Sequence, residues 1–252
     1  MNKLLPLILL PLCGVAQAED RTPMMPDGSR DMYAGIGLAT SNAEAAGENR
    51  PVVLRPLLQV EWSNGIFVSS SGVAGLDLSH SGGVEYGPLL MFSNSRDPRD
   101  NRRLRGSHPI SGSLDAGAFL NYYLGDDARL RTSLVYDTSA HGLRGEAGVQ
   151  KSWSGLVPHH TFSLSASVTL ASDPVMRERY EVSRAAGGAR DYRPDGGVAA
   201  VAAGANWNWA LSSKWLLTSG VAVTRLGSGP AGSPVVERRT FTTWSSGLAY
   251  RF

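Results

Sequence analysis

The ten residues TFSLSASVTL, positions 161–170, alternate between apolar and hydroxyl-bearing side chains without a break. Because successive side chains of a β-strand point to opposite faces, this segment is predicted to form a strand with one apolar and one polar face. A soluble β-sandwich would pack the apolar face inward. A transmembrane β-barrel would turn it toward lipid and enclose the polar face. The orientation of this strand therefore decides the fold class.

The same alternation recurs along the chain. About twelve runs begin near residues 31, 52, 65, 74, 84, 112, 128, 142, 159, 196, 214 and 240. The run near 74 is the weakest, so ten strands is the alternative count. Short links between runs alternate with longer polar ones, above all 93–111 and 172–197. Short turns at one end and long loops at the other are typical of an outer-membrane barrel, so we expect a closed antiparallel all-β transmembrane barrel with both termini in the periplasm.

Charged side chains on the polar faces also favour the barrel. A dry protein core cannot hold several charges at little cost, whereas a wet lumen can. The residues predicted to face the lumen are Arg55, Glu61, Arg131, Arg144 and Glu146. Whether such a lumen conducts depends on whether the 93–111 or the 172–197 loop folds inward.

Aromatic residues cluster near the ends of the runs, where tryptophan and tyrosine rings meet the lipid headgroups. The predicted girdle consists of Trp62, Trp153, Trp207, Trp209, Trp215 and Trp244. The chain ends in alternating apolar residues, Leu248, Tyr250 and Phe252, which resemble the signal read by the outer-membrane barrel assembly machinery.

The first eighteen residues are typical of a secretory signal peptide. Lys3 precedes an apolar run over 4–12, and small residues at 16 and 18 form a cleavage site of the A-x-A kind. We expect cleavage before Glu19 and a single barrel domain over 19–252. Lipidation of Cys13, the only cysteine, is the alternative, and Leu12 disfavours it because a small residue is expected there.

Several function classes have little support. The formal net charge is only +2, with no long basic run, which argues against nucleic-acid binding. Ser139 with His141 would be needed for a barrel hydrolase, but this pair is typical of a polar turn. His159 and His160 are adjacent on the chain, so a strand would point them to opposite faces, which does not suit metal binding. No cofactor and no enzymatic activity are expected.

The long 93–111 loop is rich in arginine. A planar guanidinium suits phosphate, so these arginines are candidates for binding lipopolysaccharide or for setting anion preference; a salt-bridged surface loop is the alternative. The candidates are Arg96, Arg99, Arg102, Arg103 and Arg105.

The chain resembles the MltA-interacting protein (MipA)/OmpV outer-membrane family. The matching stretches are YAGIG (33–37), EWSNGIF (61–67), YGPLL (86–90), YRPDGG (192–197) and SPVV (233–236). The resemblance implies an outer-membrane protein in contact with lipid and lipopolysaccharide. It also implies a non-enzymatic scaffold that brings a murein hydrolase together with a murein synthase, and other members are described as porin-like. A scaffold is therefore the first expectation, a narrow porin-like channel the alternative, and an outer-membrane hydrolase a weaker one.

Overall fold

The protein is described by a computed structural model over residues 24–41, 52–80, 82–99, 104–188 and 190–252. The predicted signal peptide at 1–18 lies outside these residues. Twelve antiparallel strands pair in sequence order, and the last pairs with the first to close the barrel. The strands are β1 (Tyr33–Ser41), β2 (Val53–Glu61), β3 (Ile66–Ser69), β4 (Val73–Leu76), β5 (Val84–Ser93), β6 (Ser113–Tyr123), β7 (Ala128–Asp137), β8 (Gly142–Ser154), β9 (His160–Ala171), β10 (Gly197–Ala210), β11 (Trp215–Leu226) and β12 (Thr240–Arg251). The predicted closed barrel of about twelve strands is confirmed.

Strand β9 contains the alternating segment that decides the fold. Leu164 and Leu170 are 54% and 49% exposed, whereas Ser163 on the other face is 2% exposed. The apolar face therefore points away from the barrel axis and the hydroxyl face points into the lumen. This is the orientation that lipid requires, because the apolar side chains of the strand then meet acyl chains and the polar side chains stay away from them.

The loops carry two helices that the sequence pattern did not predict, α1 (Asp173–Tyr180) and α2 (Ser228–Ala231). Helix α1 begins with a proline in its first turn, where the missing N–H costs nothing. It buries Val175 and Met176 against Leu104 and Val235 from neighbouring loops. We call this packed group the extracellular lid. Neither described helix is long and apolar enough to cross a membrane.

The barrel wall is lower at the β3–β4 hairpin, where each strand has only four residues. The ladder between β2 and β3 covers only the last three residues of β2, and the Ser70 N–H donates to the Leu58 carbonyl just above it. Within the described residues, the rest of β2 pairs with β1 alone. Pro56, which has no N–H to donate, lies on this unpaired edge, where proline is tolerated.

Candidate functional site

Residues 24–31, which precede β1, lie inside the periplasmic end of the barrel. We call them the plug segment. Side chains from the wall hold its backbone: Arg129 donates to the carbonyls of Met24 and Met25, the latter at 2.9 Å. Gln150 Nε2 donates to the Pro26 carbonyl at 3.0 Å. The lumen is therefore crossed by a chain segment rather than left open at this end.

Asp27 is the central residue of the plug segment. Its carboxylate accepts hydrogen bonds from Gln59 Nε2 at 3.0 Å, from Asn208 Nδ2 at 2.6 Å and from Tyr33 Oη at 3.2 Å. Its carbonyl accepts one from Ser163 Oγ. These donors belong to β2, β10, β1 and β9, and Gln59 and Asn208 are almost fully buried. One carboxylate thus ties the segment to both sides of the lumen, through charge-assisted bonds.

The plug segment reverses direction at Gly28. The Gly28 N–H donates to the Met25 carbonyl at 2.8 Å, and the Gly28 φ of 85° lies in the left-handed region. A side chain there would also collide with Ser163 and Gln150 on the wall. Glycine is therefore required both by the turn and by the close approach of the wall.

Arg129 is 4% exposed and needs a compensating charge. Glu85 supplies it at 3.8 Å, and Glu85 is held by Tyr123 Oη at 2.5 Å and Asn121 Nδ2 at 3.0 Å. At the other end of the segment, Asp31 pairs with Arg251 at 3.2 Å. Burial nevertheless raises the pKa of Asp31 above its usual 3.8. The plug segment is thus held by polar contacts throughout.

The extracellular end of the lumen is covered on one side by the lid. Asp115 and Asp137, at the extracellular ends of β6 and β7, are both 0% exposed. Asp137 pairs with Arg179 of α1 at 3.0 Å, and Asp115 pairs with Arg144 at 3.6 Å. The Asp137–Arg179 pair fastens the lid to the wall, whereas the Asp115–Arg144 pair joins two strands of the wall, β6 and β8. The loop 172–197 therefore packs against the barrel, while the periplasmic closure comes from the plug segment, which the sequence reasoning did not consider.

The five predicted lumen charges all occupy inward-facing positions. Arg131 and Glu146 pair with each other at 3.2 Å. Arg144 contacts Asp115 as described above. Glu61 faces the lumen beside the plug segment, and Arg55 is exposed near the extracellular end of β2.

The predicted loop arginines are described in part. Arg99 and Arg105 are exposed, whereas Arg102 and Arg103 lie outside the described residues. Arg96 is half-buried near Arg179 and Tyr180 of the lid, and burial lowers its pKa. Two of its nitrogens have no hydrogen-bond partner among the described residues.

The tryptophans lie mostly at the periplasmic ends of strands. Five do so, and Trp244 alone is in the extracellular half, opposite Thr40. His160 belongs to this belt: its Nδ1 accepts from Trp207 Nε1 at 2.9 Å and its ring stacks on Trp209 at 5.4 Å. The periplasmic girdle is therefore Trp62, Trp153, Trp207, Trp209 and Trp215, with His160 among them. At the C-terminus, the residues of the predicted assembly signal, Leu248, Tyr250 and Phe252, are exposed.

The histidines form no site in the described chain. His141 and His159 both adopt a positive φ in turns, and Ser139 donates to Asp137 rather than to a histidine. No group of three or more His, Cys, Asp or Glu side chains suited to a metal occurs in the parts of the chain that the structure covers.

The sequence pattern of the MltA-interacting protein MipA matches residues 33–252, from the first residue of β1 to the C-terminus. The chain belongs to the MipA family. No curated protein matches it. The chain is similar in fold to the NanC porin, at a TM-score of 0.50 and 9% identity over 87% of this chain and 100% of that one. It is also similar to the KdgM porin, at a TM-score of 0.44 and 9% identity over 87% and 99%. The outer-membrane protein OprD from Pseudomonas aeruginosa matches at 0.40 and 11% over 86% and 65%. This MipA family member is an outer-membrane β-barrel with porin-type architecture.

Proposed function

We propose that this MipA family barrel anchors murein-remodelling enzymes, a hydrolase and a synthase, at the periplasmic face of the outer membrane, with no catalytic activity of its own. The observation that carries the proposal is the plug segment, which crosses the periplasmic end of the lumen and makes polar contacts to opposite walls. A lumen crossed in this way suits a platform better than an open conduit. The family description as an MltA-interacting protein supports the same role.

Two neighbouring periplasmic turns offer a contact for such a partner. Leu156 and Val157 in the β8–β9 turn are 68% and 45% exposed, and Leu211 in the β10–β11 turn is also exposed. The Ala210 N–H donates to the His159 carbonyl at 2.8 Å, which links the two turns. We call these three exposed side chains the periplasmic ridge. Exposed apolar groups beyond the strand ends are suited to protein contacts.

The test is co-purification of the murein hydrolase and synthase with the full-length barrel from detergent extracts of outer membranes. A Leu156→Ser/Val157→Ser variant should capture about tenfold less enzyme, since the two side chains together are expected to contribute about 1.4 kcal/mol to the contact. Leu124→Ser is the matched control, because Leu124 is exposed in a different periplasmic turn. No capture by the wild type, or equal capture by both variants, would refute the anchor proposal.

A gated narrow channel is the second candidate. The plug segment is held by hydrogen bonds and ion pairs, which can break without loss of a large apolar interface. The lumen beyond it is lined with charges such as Arg131 and Glu146. Proteoliposomes containing an Asp27→Ala variant should swell in small sugars if the segment is a gate. Swelling no faster than with the wild type would remove this candidate.

A further inference from the structure

A partly open cavity of about 480 Å³ lies between the plug segment and the β3–β4 hairpin. We call it the hairpin cavity. Met24, Met25 and Pro26 of the plug segment form one side, and residues of β2 to β8 form the others. Small-molecule sites in proteins range from about 300 to 1,000 Å³. The hairpin cavity is therefore large enough for a compact ligand.

The charges around the hairpin cavity do not balance. Its lining includes four carboxylates against two guanidiniums, namely Glu61, Asp77, Glu85 and Glu146 against Arg129 and Arg131. Both guanidiniums are already engaged, Arg129 by the plug carbonyls, Gln150 and Glu85, and Arg131 by Glu146. The carboxylate of Glu61 has no hydrogen-bond or ion-pair partner among the described residues. The β2 side of the cavity thus carries more carboxyl groups than the nearby guanidiniums pair with.

An apolar wall faces the lumen next to Glu61. Phe67 lies opposite Glu61 in the β2–β3 ladder, and its ring meets the ring of Phe119 edge to face, with centroids 5.3 Å apart and planes at 86°. Leu89 and Met91 extend this wall. Aromatic faces attract cations, and methionine adapts to ligands of irregular shape. The cavity therefore combines a free carboxylate with an apolar surface.

We propose that the hairpin cavity binds a small organic cation with an apolar body. Its ammonium group would lie against Glu61, and its apolar part against Phe67 and Phe119. An anionic ligand would be repelled, because the lining holds more carboxylates than guanidiniums. This binding site is independent of the anchor function, which involves the periplasmic ridge.

The proposal is tested by titrating phenethylamine into the full-length protein in detergent and measuring heat by calorimetry. Two probes of the same shape are compared, neutral 2-phenylethanol and anionic phenylacetate. We expect phenethylamine to bind about tenfold more tightly than 2-phenylethanol, since a hydrogen bond to a charged group contributes on this order. Phenylacetate should not bind. If the wild-type protein bound phenethylamine and 2-phenylethanol with equal affinity, or bound phenylacetate more tightly than either, the proposal would be refuted.

Two variants locate the site. Glu61→Gln should weaken phenethylamine binding about tenfold and leave 2-phenylethanol binding unchanged. The matched control is Glu237→Gln, in an exposed extracellular loop, which should bind like the wild type. Phe119→Leu should weaken both ligands, because it removes the aromatic face. Unchanged amine binding in folded Glu61→Gln protein, or equal weakening in Glu237→Gln, would refute the site. Neither of these results would affect the anchor proposal, because capture of murein enzymes is assigned to the periplasmic ridge and not to the hairpin cavity.

Discussion

Replacing Asp27 with alanine should release the plug segment from the lumen. The change removes the carboxylate that accepts from Gln59, Asn208 and Tyr33. The buried Asn208 amide then loses this acceptor, whereas Gln59 Nε2 keeps its bond to the Asp31 carbonyl at 2.9 Å. Hydrogen bonds to a charged group contribute about 1.5–3 kcal/mol each, but bonds that share one carboxylate are not additive. We therefore expect the free energy that holds the plug segment in the lumen to fall by about 3 kcal/mol. This loss would raise the population of released segment about 100-fold.

Release can be measured by thiol labelling of a reporter behind the plug segment. Ser152 faces the lumen on β8, pairs with Ser163 and is 7% exposed, so a Ser152→Cys substitution is conservative. The only native cysteine is Cys13, within the predicted signal peptide. If opening is fast compared with labelling, the labelling rate follows the open population. Asp27→Ala should then label about 100-fold faster than the parent.

The control for this experiment is Asp127→Asn in the same reporter background. Asp127, in the β6–β7 turn, pairs with Lys151 of β8 at 2.9 Å, and its side chain makes no hydrogen bond or ion pair with the plug segment among the described residues. Asp127→Asn should label at the parental rate. The reasoning is refuted if folded Asp27→Ala protein labels no faster than Asp127→Asn.

Three further outcomes are expected. Leu164→Arg should lower the free energy of unfolding in lipid vesicles by about 2–4 kcal/mol, because an arginine would face acyl chains; an unchanged urea midpoint would contradict the strand orientation. Because burial raises the pKa of Asp31, the folded state binds that proton more tightly than the unfolded state. The free energy of unfolding should therefore fall as the pH rises from 3.8 through the raised pKa, and Asp31→Asn should flatten this slope in urea titrations. Arg179→Ala should leave Asp137 buried with its ion pair broken and destabilise the lid by about 1–3 kcal/mol, seen as faster proteolysis of the 172–197 loop, whereas an unchanged rate would show that the ion pair does not fasten the lid.

The strands could be predicted from sequence because the alternation of side chains reports directly on the two faces of a membrane barrel. The run beginning at 142 became Gly142–Ser154, and even the weak run near 74 became the short strand Val73–Leu76. The same alternation also predicts which residues, such as Arg131, face the lumen. Helix α1 could not be predicted in this way, since its apolar residues contact loop residues distant in sequence, such as Leu104 and Val235.

The plug segment was missed because it precedes the first alternating run. Its sequence does carry a signal, since proline, aspartate and glycine at 26–28 form a turn pattern. A second signal lies in the wall: Gln59, Gln150 and Asn208 all occupy inward positions at the periplasmic ends of their strands. Sequence alone does not say what these amides bind, because their partners are backbone carbonyls and one carboxylate from a segment remote in sequence.

The most direct test of the closed lumen is planar-bilayer recording of the full-length wild-type protein. A plug segment bonded to opposite walls predicts no steady conductance at low voltage. A stable open channel of constant conductance in the wild type would contradict the closed lumen and, with it, the argument for an anchor.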